Sequence, residues 1–467
     1  MSRVEELGRF VAGVTPDDLS PRVISALQLR VLDALGCGIA ALDAPPVRAA
    51  RSAMLELGGR PASTLIGGGR TSPDRAALVN GAAIRYLDFN DCYLGAEEAC
   101  HPSDNVAPIL AVVEFAGAGG RDLLAALAVA YEVQVRLSER APVRPRGFDH
   151  ATQGAYAVAA GASRALGLDA ERTAHAIAIA GTALNALRVT RTGAISNWKG
   201  LAYPNTALCA VNATFLARAG VTGPREVFEG RLGFMDTVAR PFEIEWPSSG
   251  LEAVLETDLK RHDAEGHAQS VLEAVLQLRA SHRPDPESVA RVRVWVCQAA
   301  YEIIGPGAGD KARVTTKEEA DHSLPYMVAV ALIDGRVMPE QYTRERLESS
   351  DVQRLLRLVT VLEEPAFTSA FPDRHACRVE LELRDGRRLE GVAEDWPGFH
   401  RRDDAPGVVI EKFHALASPS VGRDLRDELI DACLHLGDRG VAELAALIGC
   451  AGDAEPPDGR PGGDRGG

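Results

Sequence analysis

The stretch AHAIAIAGTA, residues 174–183, is the clearest guide to how this chain folds. Its alanines favour a helix, and it has almost no polar residues that could form a solvent-facing side. A helix of this kind must be buried on all sides, by other helices or by a second subunit. The same helical spacing of apolar residues recurs in the segments 106–117, 122–139, 151–166, 170–187 and 204–219. The sequence therefore predicts a helical bundle with a covered centre.

A further helix is predicted near the amino terminus. Ser20 suits the N-cap position and Pro21 the first turn, and apolar residues then recur at helical spacing up to Leu35. Gly36 is predicted to end this helix. Residues 36–41, GCGIAA, match the loose dinucleotide-binding pattern GxGxxA. That pattern requires a preceding strand, so we interpret the match as fortuitous.

The second half of the chain mixes strands with helices. Apolar residues alternate over 289–296 and again over 379–383, which is typical of half-buried strands. The second run leads into Asp385-Gly386, a strong hairpin signal. Helical patterns lie between the two runs, at 322–334 and 351–358. This mixture predicts a compact α+β domain. Helical spacing then returns at 424–449.

Length and composition narrow the functional classes. A chain of 467 residues is too long for one hydrophobic core, so two domains are expected. Its net charge of −14 makes nucleic acid and anionic membranes poor partners. No apolar run approaches the roughly 18–20 residues that cross a bilayer. The amino terminus, MSRVEELGRF, lacks the features of a signal peptide, and the eight cysteines form no CxxC pair. We therefore expect a cytoplasmic protein without a disulfide framework.

Several weak motifs do not support a cofactor. Residues 67–69, GGG, lack the Lys-Ser/Thr of a phosphate loop, and no GxSxG elbow is present. The cluster His262, Asp263, Glu265 and His267 does not have the HExxH spacing of a zinc site. Cationic residues precede it directly and would repel a metal ion. The sequence therefore predicts neither a metal nor another cofactor.

Polar residues in the loop after residue 87 indicate an active site. The segment DFNDCY begins at Asp88, and HPSDN begins at His101. Loops that carry carboxylates and histidine, and that buried helices hold in place, often form catalytic sites. We expect Asp88 and His101 to be functional, whereas Asp104 is expected to cap the next helix.

Three further segments add histidines and cations. His150 opens an almost apolar helix, where it could either cap that helix or act in the site. Arg188, Arg191 and Lys199 lie between two apolar helices, and a local positive pocket in an acidic protein indicates an anionic ligand. Lys260 and His267 are expected to meet the segment 317–326. Such groups could remove a proton from a polycarboxylate without a metal.

The chain resembles the 2-methylcitrate dehydratase (MmgE/PrpD) family from about residue 5 to 450. The motifs that carry this resemblance are YLDFND (86–91), HPSDN (101–105), GFDHATQG (147–154), SNWKGLAYP (196–204) and ADHSLPY (320–326). The resemblance implies a mainly α fold with an α+β part: a large all-helical domain, a smaller α+β lid domain, and a homodimer. The corresponding boundaries are 1–258 for the helical domain, completed by 405–450, and 259–404 for the lid. Residues 451–467 form a tail that is predicted to be disordered.

The resemblance also implies which residues form the site. The expected catalytic residues are Asp88, His101, His150, Tyr301 and His322. The expected substrate-binding residues are Cys92, Arg191, Lys199, Lys260 and His267. Cys92 stands where threonine is usual, and three extra residues separate Asp91 from His101 relative to the decarboxylase pattern. These departures favour the dehydratase branch over the decarboxylase branch.

The leading functional hypothesis is a metal-free lyase that dehydrates 2-methylcitrate or a closely related tricarboxylate to the unsaturated acid. Either His101 or Asp88 would remove the proton. The alternatives are a cis-aconitate-type decarboxylase or a dicarboxylate epimerase on the same scaffold. A hypothesis of another class is a non-catalytic binding protein for acidic metabolites. The expected partners are a small polycarboxylate and a second copy of the chain.

Overall fold

Two hydrophobic cores organise the molecule. The structure is a computed structural model and describes residues 1–452. The first core takes residues from Val4 to Leu259 and again from Val409 to Ala451, and it is built from helices. The second core takes residues from Ala264 to Leu383 and combines helices with a four-stranded sheet. The predicted fold class, mainly α with an α+β part, is confirmed.

The helical part begins with ten helices in chain order. They are α1 (Arg3–Gly13), α2 (Pro21–Ala40), α3 (Pro45–Glu56), α4 (Pro73–Tyr86), α5 (Val106–Ala116), α6 (Gly120–Arg140), α7 (Ala151–Ala165), α8 (Ala170–Ala183), α9 (Trp198–Arg218) and α10 (Phe234–Thr237). Two short hairpins interrupt them, formed by β1 (Ser63–Thr64) with β2 (Arg70–Thr71) and by β3 (Tyr93–Leu94) with β4 (Ala99–Cys100).

The α+β part follows, and three helices then return to the first core. Its helices are α11 (Gln269–His282), α12 (Gln298–Ile303), α13 (Lys317–Ala320), α14 (Leu324–Asp334), α15 (Arg344–Glu348), α16 (Ser350–Leu355) and α17 (Pro365–Ala370). Its strands are β5 (Val289–Val296), β6 (Val359–Glu363), β7 (Cys377–Leu383) and β8 (Arg388–Ala393). The returning helices are α18 (Ala405–Ala417), α19 (Arg423–Leu434) and α20 (Val441–Gly449).

The sheet has the strand order β6–β5–β7–β8. β5 pairs with β7 in antiparallel fashion, and β7 and β8 form the hairpin that Asp385-Gly386 predicted. Side chains of β7 alternate between buried and half-buried, as the period of two requires. β6 pairs with β5 in parallel and was not predicted, since its five residues carry only a short pattern. The boundaries at residues 258 and 404 stay predictions.

Helix α2 corrects two expectations. It continues through Gly36 and runs to Ala40. Gly36 makes room for helix α18 instead of ending α2, since a Cβ at Gly36 would come within 3.1 Å of the Phe413 ring. The GxGxxA match therefore lies inside a helix. With 20 residues and a mean hydropathy of 1.5 over its most apolar window, α2 is also long and apolar enough to cross a membrane. However, 83% of that window is buried within the protein, where α2 packs as a core helix.

The central helices are covered as the sequence predicted, with one exception. Helix α7 is buried along almost its whole length. Helix α8 packs against α1, α7 and α9, but Thr182 and Ala183 at its end are exposed.

The tail that was predicted to be disordered begins at Ala451, but Ala451 packs in the first core. The rest of the predicted tail, from residue 453, lies outside the described residues.

Candidate active site

Asp88 lies at the centre of a buried group of ion pairs. It follows α4 in the left-handed backbone region, with φ of 60°. Its Oδ1 lies 2.9 Å from Arg85 Nη1 and 2.9 Å from Lys260 Nζ, and its Oδ2 lies 3.0 Å from Lys199 Nζ. Burial alone raises the pKa of Asp88, but these three cations outweigh it and hold that pKa well below its usual range. Asp88 is therefore a carboxylate.

Asp321, at the end of α13, extends this group. Its Oδ1 lies 2.5 Å from Lys199 Nζ, and its Oδ2 lies 2.6 Å from Lys317 Nζ. Burial opposes ionisation of Asp321, yet Lys199 and Lys317 hold its pKa well below the usual range. We call the six residues Arg85, Asp88, Lys199, Lys260, Lys317 and Asp321 the floor cluster. All six are buried, and each has an opposite charge within 3 Å.

His322 lies directly against the floor cluster. Its Nδ1 is 2.8 Å from Asp321 Oδ1 and 3.0 Å from Lys199 Nζ. Burial, assisted by the charge of Lys199, lowers the pKa of His322 to about 4, although Asp321 acts in the opposite direction. The imidazole is therefore neutral near pH 7.

Asp88, Asp321 and His322 also have a spacing that could hold a metal ion, because their ligand atoms lie within 4.8 Å of one another. The Lys199 ammonium already contacts all three, at 3.0, 2.5 and 3.0 Å. A metal ion there would have to displace Lys199 and face the other cations of the floor cluster. The donor set therefore suits an ammonium group better than a metal.

His101 is held as a neutral imidazole with a free nitrogen. It precedes the 3-10 helix Pro102–Asn105, and its Nδ1 lies 2.9 Å from the carbonyl oxygen of Asp91. A carbonyl can only accept, so Nδ1 carries the proton and Nε2 carries the lone pair. Nε2 lies 3.8 Å from Asp88 Oδ1. Burial first, and then the charges of Arg85 and Lys260, lower the pKa of His101 well below its usual range.

His150 lies beside His101, with 5.4 Å between the ring centroids. It stands at the start of α7, where the helix dipole disfavours a cation. Its Nδ1 lies 3.3 Å from Asp149 Oδ1, and its Nε2 lies 3.4 Å from Arg191 Nη2. Burial lowers the pKa of His150 to about 3, despite the attraction of Asp149. We call His101 and His150 the histidine pair.

A cavity of about 270 Å³ lies above these groups and is bounded by both parts of the chain. Its volume is near the lower end of the range for small-molecule sites, about 300–1,000 Å³. The residues that line it are Glu98, Ala99, His101, Arg144, His150, Arg188, Arg191, Thr192, Glu265, Glu302, Ile303, Gly307, Ala308 and His322. Histidines and arginines converge there, which suits a small anion that gains or loses a proton.

The other predicted site residues lie outside this lining. Asp88, Lys199 and Lys260 form part of the floor cluster. Cys92 is fully buried in an apolar group with Leu94, Trp396 and Phe399. Tyr301 lies on α12, close to Gly307, and is half-buried. His267 pairs with Glu265 at 2.8 Å. The roles of Cys92, Tyr301 and His267 stay predictions.

The cluster that resembled a metal site at 262–267 is divided among separate partners. His262 Nε2 lies 2.8 Å from Glu273, and His267 Nδ1 lies 2.8 Å from Glu265. Both carboxylate oxygens of Asp263 are buried without a hydrogen-bond partner among residues 1–452. Burial raises the pKa of Asp263 to about 7, against the attraction of Lys317.

Sequence reasoning did not assign three members of the floor cluster to the site, Arg85, Lys317 and Asp321, although it expected the segment 317–326 to meet Lys260. A local signal was present for each, because Arg85 lies three residues before Asp88 and Lys317 lies four before Asp321. Opposite charges at these helical spacings meet on one face. An arginine inside the largely apolar helix α4 was a further signal.

Two family models match most of the chain. Residues 5–247 match the family model of the MmgE/PrpD N-terminal domain, and residues 262–436 match that of the MmgE/PrpD C-terminal domain. A 2-methylcitrate dehydratase-like protein of Aspergillus oryzae is 30% identical over 456 residues, which cover 90% of this chain and 89% of the relative.

Two further relatives carry the name 2-methylcitrate dehydratase. The mitochondrial protein of Yarrowia lipolytica is 29% identical, covering 83% of this chain and 78% of its own. The Escherichia coli protein is 28% identical, covering 82% and 83%. The predicted enzyme class, a carbon–oxygen lyase of the dehydratase type, is confirmed at the level of the family. The chain therefore belongs to the MmgE/PrpD family.

Proposed function

We propose that this enzyme dehydrates 2-methylcitrate or a closely related tricarboxylate to the unsaturated acid, without a metal. The observation that carries the proposal is His101 itself, which lines a small cavity and whose unprotonated Nε2 lies 3.8 Å from Asp88 of the floor cluster. The names of the relatives support the substrate class.

His101 is the better of the two candidate bases. Its tautomer leaves a lone pair on Nε2, and its neutral form persists well below pH 6.5. Asp88 is ionised, but three cations within about 3 Å stabilise its charge and make it a weak base. We therefore assign proton removal to His101 and the orientation of the surrounding cations to Asp88.

The departing hydroxyl takes its proton from His101 rather than from His322. Asp321 Oδ1, which can only accept, lies 2.8 Å from Nδ1 of His322 and is closer than the Lys199 ammonium at 3.0 Å, so the neutral His322 has its proton on Nδ1 and a lone pair on Nε2. His322 lines the same cavity as His101. His101 takes the proton from the substrate carbon, the carbon–oxygen bond breaks, and the protonated His101 returns that proton to the departing hydroxyl, which releases water and leaves a carbon–carbon double bond. The neighbouring cations stabilise the negative charge that develops next to a substrate carboxylate.

The activity test is a panel of tricarboxylates incubated with the enzyme in heavy water and followed by NMR. We expect 2-methylcitrate, or a close relative of it, to give an unsaturated acid that absorbs in the ultraviolet. Carbon dioxide release from cis-aconitate would instead identify a decarboxylase. Deuterium exchange without net conversion would identify an epimerase.

The control for this panel is His101→Asn, whose amide can keep the hydrogen bond to Asp91 while Nε2 is lost. A folded wild-type protein that binds the acids but converts none of them would contradict the proposal and favour a binding protein.

We also propose that the enzyme is a cytoplasmic homodimer. Leu187, Val189 and Trp198 are exposed by 60%, 68% and 48%, and they flank the arginines of the cavity. Their side, together with the exposed end of α8, is suited to a second copy of the chain. Light scattering on the purified protein should give twice the mass of one chain, and the mass of a single chain would contradict this.

A further inference from the structure

The cations that the sequence assigned to substrate binding are already paired inside the protein. Lys199 contacts Asp88 and Asp321, and Lys260 contacts Asp88. Arg191 Nε lies 2.5 Å from Asp149 Oδ2. A ligand carboxylate at any of these positions must compete with a protein carboxylate that is held in place. The gain from binding there is therefore small.

Arg188 differs from the other cations of the cavity. It lines the cavity, but no carboxylate of residues 1–452 lies within 4 Å of its guanidinium. The neighbouring Arg144 lies 3.6 Å from Glu302. Burial lowers the pKa of Arg188, and the charges of Arg144 and Arg191 add to this, against the attraction of Asp149. Arg188 is thus a half-buried cation without a carboxylate within 4 Å among residues 1–452.

Lys311, in the α+β part, is not itself a lining residue but lies next to residues that line the cavity. It follows Gly307 and Ala308, which line the cavity, and its carbonyl accepts a hydrogen bond of 2.6 Å from Ser323, next to His322. Within the described part of the chain its ammonium has no carboxylate within 4 Å. Burial lowers its pKa, and the charge of Lys199 adds to this effect.

We propose that Arg188 and Lys311 are the anchors for two carboxylates of the substrate, one from each part of the chain. A carboxylate would supply the missing counter-ion to each cation, and Arg188 can hold it with two parallel hydrogen bonds. A polycarboxylate therefore satisfies both cations at once, whereas a monocarboxylate satisfies one. The inference rests on the proposed function for the class of ligand, and it adds the residues that select for that class.

The test measures binding of tricarballylate (propane-1,2,3-tricarboxylate) by calorimetry, since this probe has no hydroxyl and cannot be dehydrated. We expect the wild-type enzyme to bind it, and Arg188→Gln and Lys311→Gln each to weaken binding at least tenfold. Arg188→Lys should recover part of the loss, because it keeps the charge. The matched control is Arg313→Gln, which removes one positive charge from a side chain that is 90% exposed near Lys311.

The inference is overturned by unchanged affinity in either Gln variant or by an equal loss in the Arg313 control. Absence of tricarballylate binding to the wild-type enzyme would also overturn it. Turnover is measured separately on 2-methylcitrate. An enzyme that dehydrates 2-methylcitrate with the same KM in both Gln variants removes the inference and leaves the proposed function intact. If tricarballylate binding depends on Arg188 and Lys311 but no substrate is turned over, the inference stands and the proposed dehydration is contradicted.

Discussion

The floor cluster is buried and the histidine pair is largely buried, with His101 15% exposed; the two groups lie within a few ångströms of each other, yet burial affects them in opposite ways. In the floor cluster every charge has an opposite charge within 3 Å, so the carboxylates stay ionised. The histidine pair meets a backbone carbonyl, a carboxylate and an arginine, and both of its rings stay neutral. The ion pairs thus hold an excess of positive charge in place, and the rings beside them stay neutral and able to accept a proton.

His101→Asn should have the largest effect on turnover and a small effect on stability. The variant keeps the donor to Asp91 but loses the Nε2 lone pair, so we expect kcat to fall about 10²–10⁴-fold. Thermal unfolding should change little, because the hydrogen bond remains. Steady-state kinetics and calorimetric melting of the same preparations check both parts. A variant with wild-type turnover would remove His101 from the mechanism.

Asp88→Asn should instead destabilise the protein. The substitution leaves Arg85, Lys199 and Lys260 close together without their shared carboxylate, and loss of one partner from a buried pair costs about 3–5 kcal/mol. Asparagine tolerates the left-handed backbone of this position, so the charge is the main change. Denaturant unfolding measures the loss.

The matched control is Asp373→Asn, which removes an exposed carboxylate from its ion pair with Arg401 and should leave the free energy of unfolding nearly unchanged. Equal stability of the Asp88 variant and this control would show that the floor cluster is not held together by its charges.

Asp263→Asn tests the comparison with a smaller effect, because neither carboxylate oxygen of the buried Asp263 has a hydrogen-bond partner within residues 1–452. Its folded pKa, about 7, lies above the unfolded value of about 3.9, so the protonated form stabilises the fold at low pH. That stabilisation is lost as the pH rises towards 7. The difference in the free energy of unfolding between the variant and the wild type should therefore be about 2 kcal/mol more favourable to the variant at pH 8 than at pH 5. Denaturant unfolding at the two pH values measures the difference, and the same gain at both would contradict it.

Local patterns predicted most of the fold but missed features that depend on distant residues. The helix α7 and the hairpin at Asp385-Gly386 follow from periodicity and turn chemistry. The continuation of α2 through Gly36 does not follow from local patterns, because this glycine leaves space for the Phe413 ring of α18, a residue far away in the sequence. The strand β6 depends on its parallel pairing with β5, which its own residues do not reveal.

The site divides in the same way. His101, His150 and Lys199 were predicted from motifs that the chain carries locally. The pairing of Lys199 with Asp321 joins residues 122 positions apart, so no local pattern indicates that the charge of Lys199 is already neutralised. That no carboxylate of the described residues lies within 4 Å of Arg188 depends on everything folded around it and is visible only in the structure.

The most direct test of the account is the pH profile of kcat/KM on 2-methylcitrate, because it reports the ionisation of the base in the free enzyme. The lowered pKa of His101 predicts that activity stays level down through pH 6.5 and declines only at clearly lower pH. A wild-type enzyme that loses most of its kcat/KM between pH 7.5 and pH 6.5, while remaining folded, would contradict the claim that a neutral imidazole is ready to take the proton.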